Sequence, residues 1–373
     1  MPGATGALDA KGWVRWRKGQ LSGVTNVHGQ RVALNSLRME EGNVEIQAVA
    51  GTTARLHIAA TLHKVRMGQR FQAEAVIING DGNLREHAFT AALLSDRAAA
   101  SLAGSGSYQQ QKWQGQITEF SGQDSIGPWN LAQPAPLSIS ADYVALAPFI
   151  LTGAAPEQLE LSAELTRSAA GITAAGMRAK WNELNLARAS GWLQGIQFAG
   201  SSSGAISLNV ADGQVRAVEG HATMAGTVLR PGQSISFQRS TFSLQGGKHG
   251  LRAEIDVHLE DGGAVKGNLS SALPLSAQWP DAAQYALQWT AVDLALVQPW
   301  LVNAAMPSQG VRLEGKFSGH AAGKILPDQR FDMQGSAEIT DSIFRRRAEL
   351  RVDPRARRFR AHRAHVAIFS RAF

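Results

Sequence analysis

The sequence predicts an all-β protein whose strands form one elongated antiparallel sheet. Three observations support this fold class. Apolar and polar residues alternate with a period of two along the chain, most clearly in 251–259, where apolar residues alternate with Arg252, Glu254, Asp256 and His258. Turn signals recur about every ten residues. No strands alternate with long helices, so a parallel α/β sheet is not predicted.

Each alternating run gives a strand one apolar face and one polar face. Four segments between the runs predict hairpin turns, because Asn-Gly and Asp-Gly supply the positive φ angles that tight turns need. They are 41–43 (Glu-Gly-Asn), 79–82 (Asn-Gly-Asp-Gly), 211–214 (Ala-Asp-Gly-Gln) and 260–263 (Glu-Asp-Gly-Gly).

Two stretches depart from the strand pattern. Residues 293–301 predict a short helix that ends near Pro299, because the ring of proline is not compatible with a helix interior. The segment from Trp181 to Trp192 is compatible with either a strand or a helix. Neither stretch is long enough to predict a helical domain.

The composition is that of a folded protein, with 44% hydrophobic and 18% charged residues. The absence of cysteine excludes disulfides and thiolate chemistry. No apolar run of about 18 residues predicts a transmembrane helix, and the first residues lack the pattern of a signal peptide. Because the chain begins within the alternating pattern, we interpret it as a fragment of a longer protein.

The positive charge is concentrated in one segment. Residues 345–373 hold ten arginines against Glu349 and Asp353, a net +8, so the rest of a chain with net charge +7 carries −1. The sequence thus predicts a β body at 1–343 and an Arg-rich tail at 344–373. The tail is interpreted as a disordered basic extension or as the product of a shifted reading frame. The near-neutral body does not predict nucleic-acid binding.

No motif predicts catalysis, and the chain is not expected to be an enzyme. Residues 319–325 resemble a phosphate loop but have the wrong glycine spacing and no Ser or Thr after Lys324. Gly104-Ser105-Gly106 is interpreted as a glycine-rich turn. The histidines, His87 among them, stand singly and are predicted to lie at the surface, without metal-ligand spacing. No metal and no cofactor is predicted.

Short segments that combine tryptophan and glycine recur along the chain, and together they resemble a known family. Lys112-Trp113-Gln114-Gly115 is followed by Gly127-Pro128-Trp129-Asn130-Leu131 and, further along, by 313–319, 323–327 and 332–339. In this order over roughly residues 40–343, the phrases resemble the middle region of TamB, the translocation and assembly module subunit, which is related to the AsmA-like proteins.

The resemblance implies a β half-pipe ("β-taco") with an apolar groove. It also implies a periplasmic protein, anchored in the inner membrane at full length, that carries phospholipids towards the outer membrane. It further implies a role in outer-membrane protein assembly with the barrel partner TamA. Within residues 1–373 we expect neither the membrane anchor nor the barrel-binding domain of the family.

Phospholipid acyl chains are therefore the expected ligand, and apolar strand positions are the expected lining of the groove. The candidates are Leu56, Ile58, Leu62, Leu159, Leu161, Ile206, Leu208, Val210, Ile235, Phe237, Leu251, Ile255, Val257 and Leu259. The same alternation would also build the filled core of a sandwich or barrel. The alternative function is a structural or adhesive β-solenoid that binds proteins or glycans without transporting lipid.

Overall fold

The structure is a computed structural model of the chain. The residues that it describes are 4–17, 20–34, 37–49, 55–68, 71–96, 98–168, 171–190, 196–212, 214–230, 233–272, 283–296, 311–325, 331–346, 360–361 and 364–368. The chain divides into two compact units, Met1–Asn182 (unit 1) and Glu183–Phe373 (unit 2).

Unit 1 is a β-meander. Its strands are β1 (Ala4–Arg17), β2 (Gln20–Leu34), β3 (Leu37–Val49), β4 (Arg55–Met67), β5 (Phe71–Gly82), β6 (His87–Leu94), β7 (Ala99–Gln109), β8 (Lys112–Gln123), β9 (Pro128–Leu131), β10 (Ala135–Ser140), β11 (Tyr143–Thr152), β12 (Gln158–Ser168) and β13 (Gly171–Asn185), of which residues 183–185 belong to unit 2. Each strand from β1 to β8 pairs antiparallel with the next. Strands β9 and β10 lie end to end between β8 and β11, because both pair with these two strands but at different positions along them.

Unit 2 is also a β-meander. Its elements are the single helical turn α1 (Ala187–Ser190) and the strands β14 (Gln197–Ala211), β15 (Gln214–Arg230), β16 (Gln233–Gly247), β17 (Gly250–His258), β18 (Ala264–Ser271), β19 (Ala283–Asp293), β20 (Val311–Ile325), β21 (Phe331–Arg346), β22 (Arg360–Ala361) and β23 (Ala364–Ile368). Strands β14 to β21 pair antiparallel in chain order, and β22 and β23 both pair with β21. The predicted all-β antiparallel class is confirmed in the described residues of both units.

Two of the four predicted turns are confirmed. Asp212 lies between β14 and β15 with φ of 54°, and Gly262 lies between β17 and β18 with φ of 87°. Both residues have the left-handed backbone that hairpin turns require.

The other two predicted turns are wrong, because their glycines lie inside strands. Gly42 lies in the middle of β3, where a Cβ atom would be 2.9 Å from Leu62 Cδ2 and from Met39 Sδ. Gly80 lies in β5, which continues to Gly82. Gly104 and Gly106, also predicted as a turn, lie in β7. At Gly42, Gly104 and Gly106 the missing side chain leaves room for a neighbouring one, as glycine in a strand often does.

The stretches that departed from the strand pattern are short and only partly helical. Residues 294–296 are helical, in agreement with the predicted helix at 293–301, and 297–301 lie outside the described residues. Trp181 belongs to β13, and one helical turn follows at Ala187–Ser190. The division between a β body and a tail at residue 344 stays a prediction. In the described part of the chain, no helix is long and apolar enough to cross a membrane.

A small local core lies at one end of unit 2. Leu259, Val292 and Leu294 are 6%, 6% and 2% exposed. Gly263 lies against two of them, because a Cβ atom there would be 3.1 Å from Leu259 Cδ1 and 3.2 Å from Val292 Cα. In this core, the segment that follows β17 packs against the end of β19.

We expect Leu294→Ala to lower the free energy of unfolding of unit 2 by about 2–5 kcal/mol, because it empties a fully buried site. Leu287→Ala is the matched control, since Leu287 is 38% exposed and should cost much less. Amide hydrogen exchange in β19 and β20 measures both effects. Equal protection in the two variants would contradict the assignment of Leu294 to a core.

Candidate functional site: the apolar sheet face

Residues that are direct partners across antiparallel strands project to the same side of a sheet, so the register assigns every paired residue to a face. In unit 1 we define the apolar face as the side that carries Leu56, Ile58 and Leu62. The polar face is the opposite side.

Four rows of directly paired residues cross the strands of the apolar face in unit 1. The first is Val14, Gly23, Ala48, Leu56, Gly82, His87, Gly106, Gly115, Leu137, Leu146, Ala163 and Met177; the second is Gly12, Thr25, Ile46, Ile58, Gly80, Phe89, Gly104, Ile117 and Ala135; the third is Ala10, Val27, Val44, Ala60, Ile78, Ala91, Leu102 and Phe120; the fourth is Leu8, Gly29, Gly42, Leu62, Val76, Leu93, Ala100, Gly122 and Trp129. Asp, Glu, Lys and Arg are absent from all four rows.

The polar face of unit 1 differs from the apolar face because its rows contain charged and amide side chains. One of its rows is Lys11, Asn26, Glu45, Ala59, Asn79, Thr90, Ala103 and Glu119, and another is Asp9, His28, Asn43, Thr61, Ile77, Ala92, Ser101, Ser121, Asn130, Thr152, Gln158 and Asn182. Its ion pairs lie in water. Arg55 Nε is 2.9 Å from Asp81 Oδ1, for example, and both side chains are about half exposed or more. Exposed pairs of this kind contribute little to stability.

Unit 2 has an apolar face of the same kind. Its rows are Gly204, Ala222, Phe242, Ile255, Gly267, Leu287, Ala321 and Gly335; Ile206, Gly220, Leu244, Ala253, Leu269, Tyr285, Gly323 and Met333; and Leu208, Val218, Gly246, Leu251 and Ser271. These rows too are free of formal charge. The polar face carries Arg252, Glu254, Asp256 and Lys266, with Lys266 Nζ 3.1 Å from Asp256 Oδ2.

All fourteen candidate lining residues lie on an apolar face. Leu56, Ile58, Leu62, Leu159 and Leu161 lie on that of unit 1, and the other nine lie on that of unit 2. Leu259 differs from the rest because it is 6% exposed and belongs to the local core. Leu56 and Ile255, by contrast, are 39% and 36% exposed. The remaining candidates are half-buried by their neighbours in the sheet.

The apolar faces carry much partly exposed apolar surface. In the described residues, most of the packing of elements is between strands paired in the ladders and between α1 and β14. Large side chains such as Ile46, Ile78 and Met177 remain 38%, 41% and 48% exposed. Exposed apolar side chains that cluster on one face mark an interaction or ligand-binding surface more often than apolar side chains scattered singly.

A polar contact between two side chains lies on the apolar face of unit 1, in and beside the row of Leu56. The Trp113 Nε1–H donates a hydrogen bond of 2.6 Å to His87 Nε2, and Phe89 meets the Trp113 ring edge to face with 6.0 Å between centroids. A Cβ atom at Gly106 or Gly115 would be 2.5 Å from the Trp113 ring, so the indole lies over these two glycines. The prediction that His87 is an isolated surface histidine is therefore wrong.

Aromatic side chains occupy further positions of the apolar faces. Phe120 and Phe149 meet edge to face at 5.7 Å in unit 1, and Trp289 and Phe317 stack at 5.1 Å in unit 2. Such pairs favour a fixed ring geometry. Burial raises the pKa of the Tyr285 phenol, and the nearby Asp332 carboxylate raises it further.

Sequence reasoning missed the His87–Trp113 pair because the two residues lie 26 positions apart. A usable signal was present in the glycines at 104, 106 and 115, which lie in strands next to aromatic residues. Within the residues that the structure describes, no three His, Asp or Glu side chains are arranged to hold a metal ion.

The fold and these faces define a class of protein, the amphipathic antiparallel β-meander, in which the strands of each unit carry rows of uncharged, mostly apolar residues on one side. Residues 1–305 match the family model described as TamB, N-terminal domain. The chain therefore belongs to the TamB family, which confirms the family that the tryptophan and glycine phrases indicated. The match begins nearer the start of the chain than those phrases do. It is a match to the N-terminal domain of TamB, whereas the phrases were interpreted as its middle region. Neither the curated proteins nor the solved structures compared with the chain contain a match.

Proposed function

We propose that the apolar faces of this chain bind the acyl chains of phospholipids as these lipids pass between the inner and the outer membrane. The observation that carries the proposal is the charge-free apolar face, which extends through the paired strands of each unit. A role in outer-membrane protein assembly follows from family membership and belongs to the same proposal.

The energetics favour such a ligand. Exposing acyl chains to water costs about 0.8 kcal/mol per methylene, so a chain of roughly sixteen carbons costs on the order of 12 kcal/mol. An apolar lining removes most of this cost, whereas one buried unpaired charge would restore several kcal/mol of it. The absence of Asp, Glu, Lys and Arg from the rows through Leu56 and Ile255 meets this requirement.

Exposure also supports binding over a filled core. A side chain that packs in a finished core is almost fully buried. Ile78 and Ile255 instead keep 41% and 36% of their surface exposed, which leaves apolar area for a ligand to cover. The same residues are held at fixed positions by their cross-strand partners.

The cellular setting is part of the proposal and follows from the family. A TamB-family chain would act in the periplasm, anchored to the inner membrane at full length, with the outer-membrane barrel TamA as its partner. The half-pipe curvature that would close the apolar faces into a groove belongs to the same proposal.

The test is photo-crosslinking at matched positions on the two faces of β17. A photoreactive residue in place of Ile255 should capture phospholipid from cell envelopes or mixed phospholipid vesicles. The same residue in place of Glu254, which is adjacent on the polar face, should capture little. Phospholipid captured equally at both positions, or at neither, would contradict the proposal.

A structural or adhesive module is the second candidate function, and one observation favours it. Unit 2 has a shallow concavity of about 660 Å³, whose lining includes the polar-face residues His221, Glu254, Asp256, Lys266 and His320 together with residues of the apolar row such as Ile255. Protein or glycan captured at position 254, with no lipid at position 255, would support this function in place of lipid binding.

A further inference from the structure

The hydrogen-bond partners of His87 indicate which of its two ring nitrogens carries a proton. Its Nδ1 lies 2.9 Å from the Asn83 carbonyl oxygen, which can only accept, so Nδ1 carries a proton. Its Nε2 accepts the 2.6 Å hydrogen bond from Trp113 Nε1–H and therefore carries none. The network assigns the neutral Nδ1–H tautomer to His87.

Both ends of the pair are held in place. Asn83 is fixed by its side-chain Oδ1, which accepts hydrogen bonds from the backbone N–H groups of Arg85 and Glu86 at 2.8 and 3.0 Å. The Trp113 ring lies over Gly106 and Gly115, where no side chain is present to support it. The hydrogen bond to His87 and the edge of Phe89 both help to orient the indole.

Few charged or titratable groups surround His87. Tyr108 of β7 shares the apolar face, and Arg85 and Glu86 are exposed in the loop before β6. On β5, Asp81 projects to the polar face, where it pairs with Arg55 and with His57. The neighbouring positions in the row of His87 are Gly82 on β5 and Gly106 on β7.

Protonation is incompatible with the contact to Trp113. A charged imidazole is a donor at both nitrogens, and the indole N–H is a donor only. Two N–H groups would then face each other at hydrogen-bond distance, so the contact must break. Histidine is the side chain whose ordinary titration falls between about pH 5 and 8.

We propose that the His87–Trp113 hydrogen bond is a pH-sensitive latch on the apolar face of unit 1. With His87 neutral, the indole covers the strip formed by Gly106 and Gly115. Protonation of His87 releases the indole and opens the strip, which changes the surface that a ligand meets beside Ile117 and Ile139. The effect on lipid rests on the proposed function, whereas the latch itself does not.

The test follows the indole N–H of Trp113 by nuclear magnetic resonance in the full chain, with Trp113→Phe identifying the signal. Between about pH 8 and pH 5, the signal should shift, and its hydrogen exchange should become roughly fivefold faster once intrinsic pH effects are corrected, the factor for losing one hydrogen bond. His87→Gln should abolish the pH response, because the glutamine Oε1 accepts at every pH. His57→Gln, on the polar face, should leave the response unchanged.

A second measurement separates the latch from lipid binding. A photoreactive residue at Ile117 should capture phospholipid with a yield that changes between the two pH values in the wild type and not in His87→Gln. A Trp113 signal that does not respond to pH would overturn the latch, even if lipid is captured. A responding signal without lipid capture at either pH would overturn the proposed function and leave the latch standing.

Discussion

Replacing Ile78 by aspartate is expected to weaken phospholipid binding to unit 1 by roughly tenfold or more. Ile78 lies in the row Ala60, Ile78 and Ala91 of the apolar face and is 41% exposed. A carboxylate at position 78 would remain hydrated, so the acyl chain would lose contact with this position. Losing contact with two methylenes, at about 0.8 kcal/mol each, corresponds to roughly a tenfold loss of affinity.

The adjacent residue provides the control. Ile77 is the same residue type on the same strand and is 40% exposed, but it projects to the polar face, opposite Thr61 and Ala92. Ile77→Asp should bind a fluorescent phospholipid as the wild type does. Circular dichroism and the urea midpoint must be alike in the two variants for the comparison to hold. Equal losses of binding in two folded variants would refute the assignment of the ligand to one face.

Replacing Gly115 by alanine is expected to lower the free energy of unfolding of unit 1 by about 1–3 kcal/mol, the usual cost of overpacking. The new Cβ atom would be 2.5 Å from Trp113 Cη2 and would collide with the backbone carbonyl oxygen of Ser105 on the neighbouring strand. A backbone obstacle cannot rotate away, so β7 and β8 must separate locally. Urea unfolding and amide exchange in these strands measure the effect.

Gly80→Ala is the matched control for Gly115→Ala. Gly80 also lies on the apolar face, and the nearest atom to its added Cβ would be the Ala88 carbonyl oxygen at 3.9 Å. This variant should be neutral or stabilising by up to about 1 kcal/mol, because alanine restricts the unfolded chain. If both substitutions lower the free energy of unfolding equally, the cost comes from replacing any strand glycine by alanine and not from the contact of position 115 with the Trp113 ring.

Much of the fold could be predicted from local pattern. The alternation through 251–259 places β17 and both of its faces correctly, because the period of two is a property of the strand itself. Asp212 and Gly262 were recognised as turn residues because their backbone conformation is a local requirement. The candidate lining residues lie on the apolar faces, and their role as the lining of a groove stays a prediction.

The glycine errors have one physical cause. Gly42, Gly104 and Gly106 resemble turn residues in sequence, but the structure uses them to make room for Leu62, Phe89 and Trp113. Whether a glycine supplies a turn or space depends on which side chain lies beside it in space. That neighbour is chosen by strand pairing, between residues that are distant in the chain.

The sequence by itself determined that this protein is made of antiparallel strands with one apolar and one polar face, because side-chain alternation acts over two residues. Only the tertiary structure decided which residues form each row, that His87 accepts a hydrogen bond from Trp113, and that Leu259 is in a core while Ile255 is half exposed. Register joins residues that are not neighbours in the chain, and burial depends on what packs above them. Both are set by the whole sheet and not by any one strand.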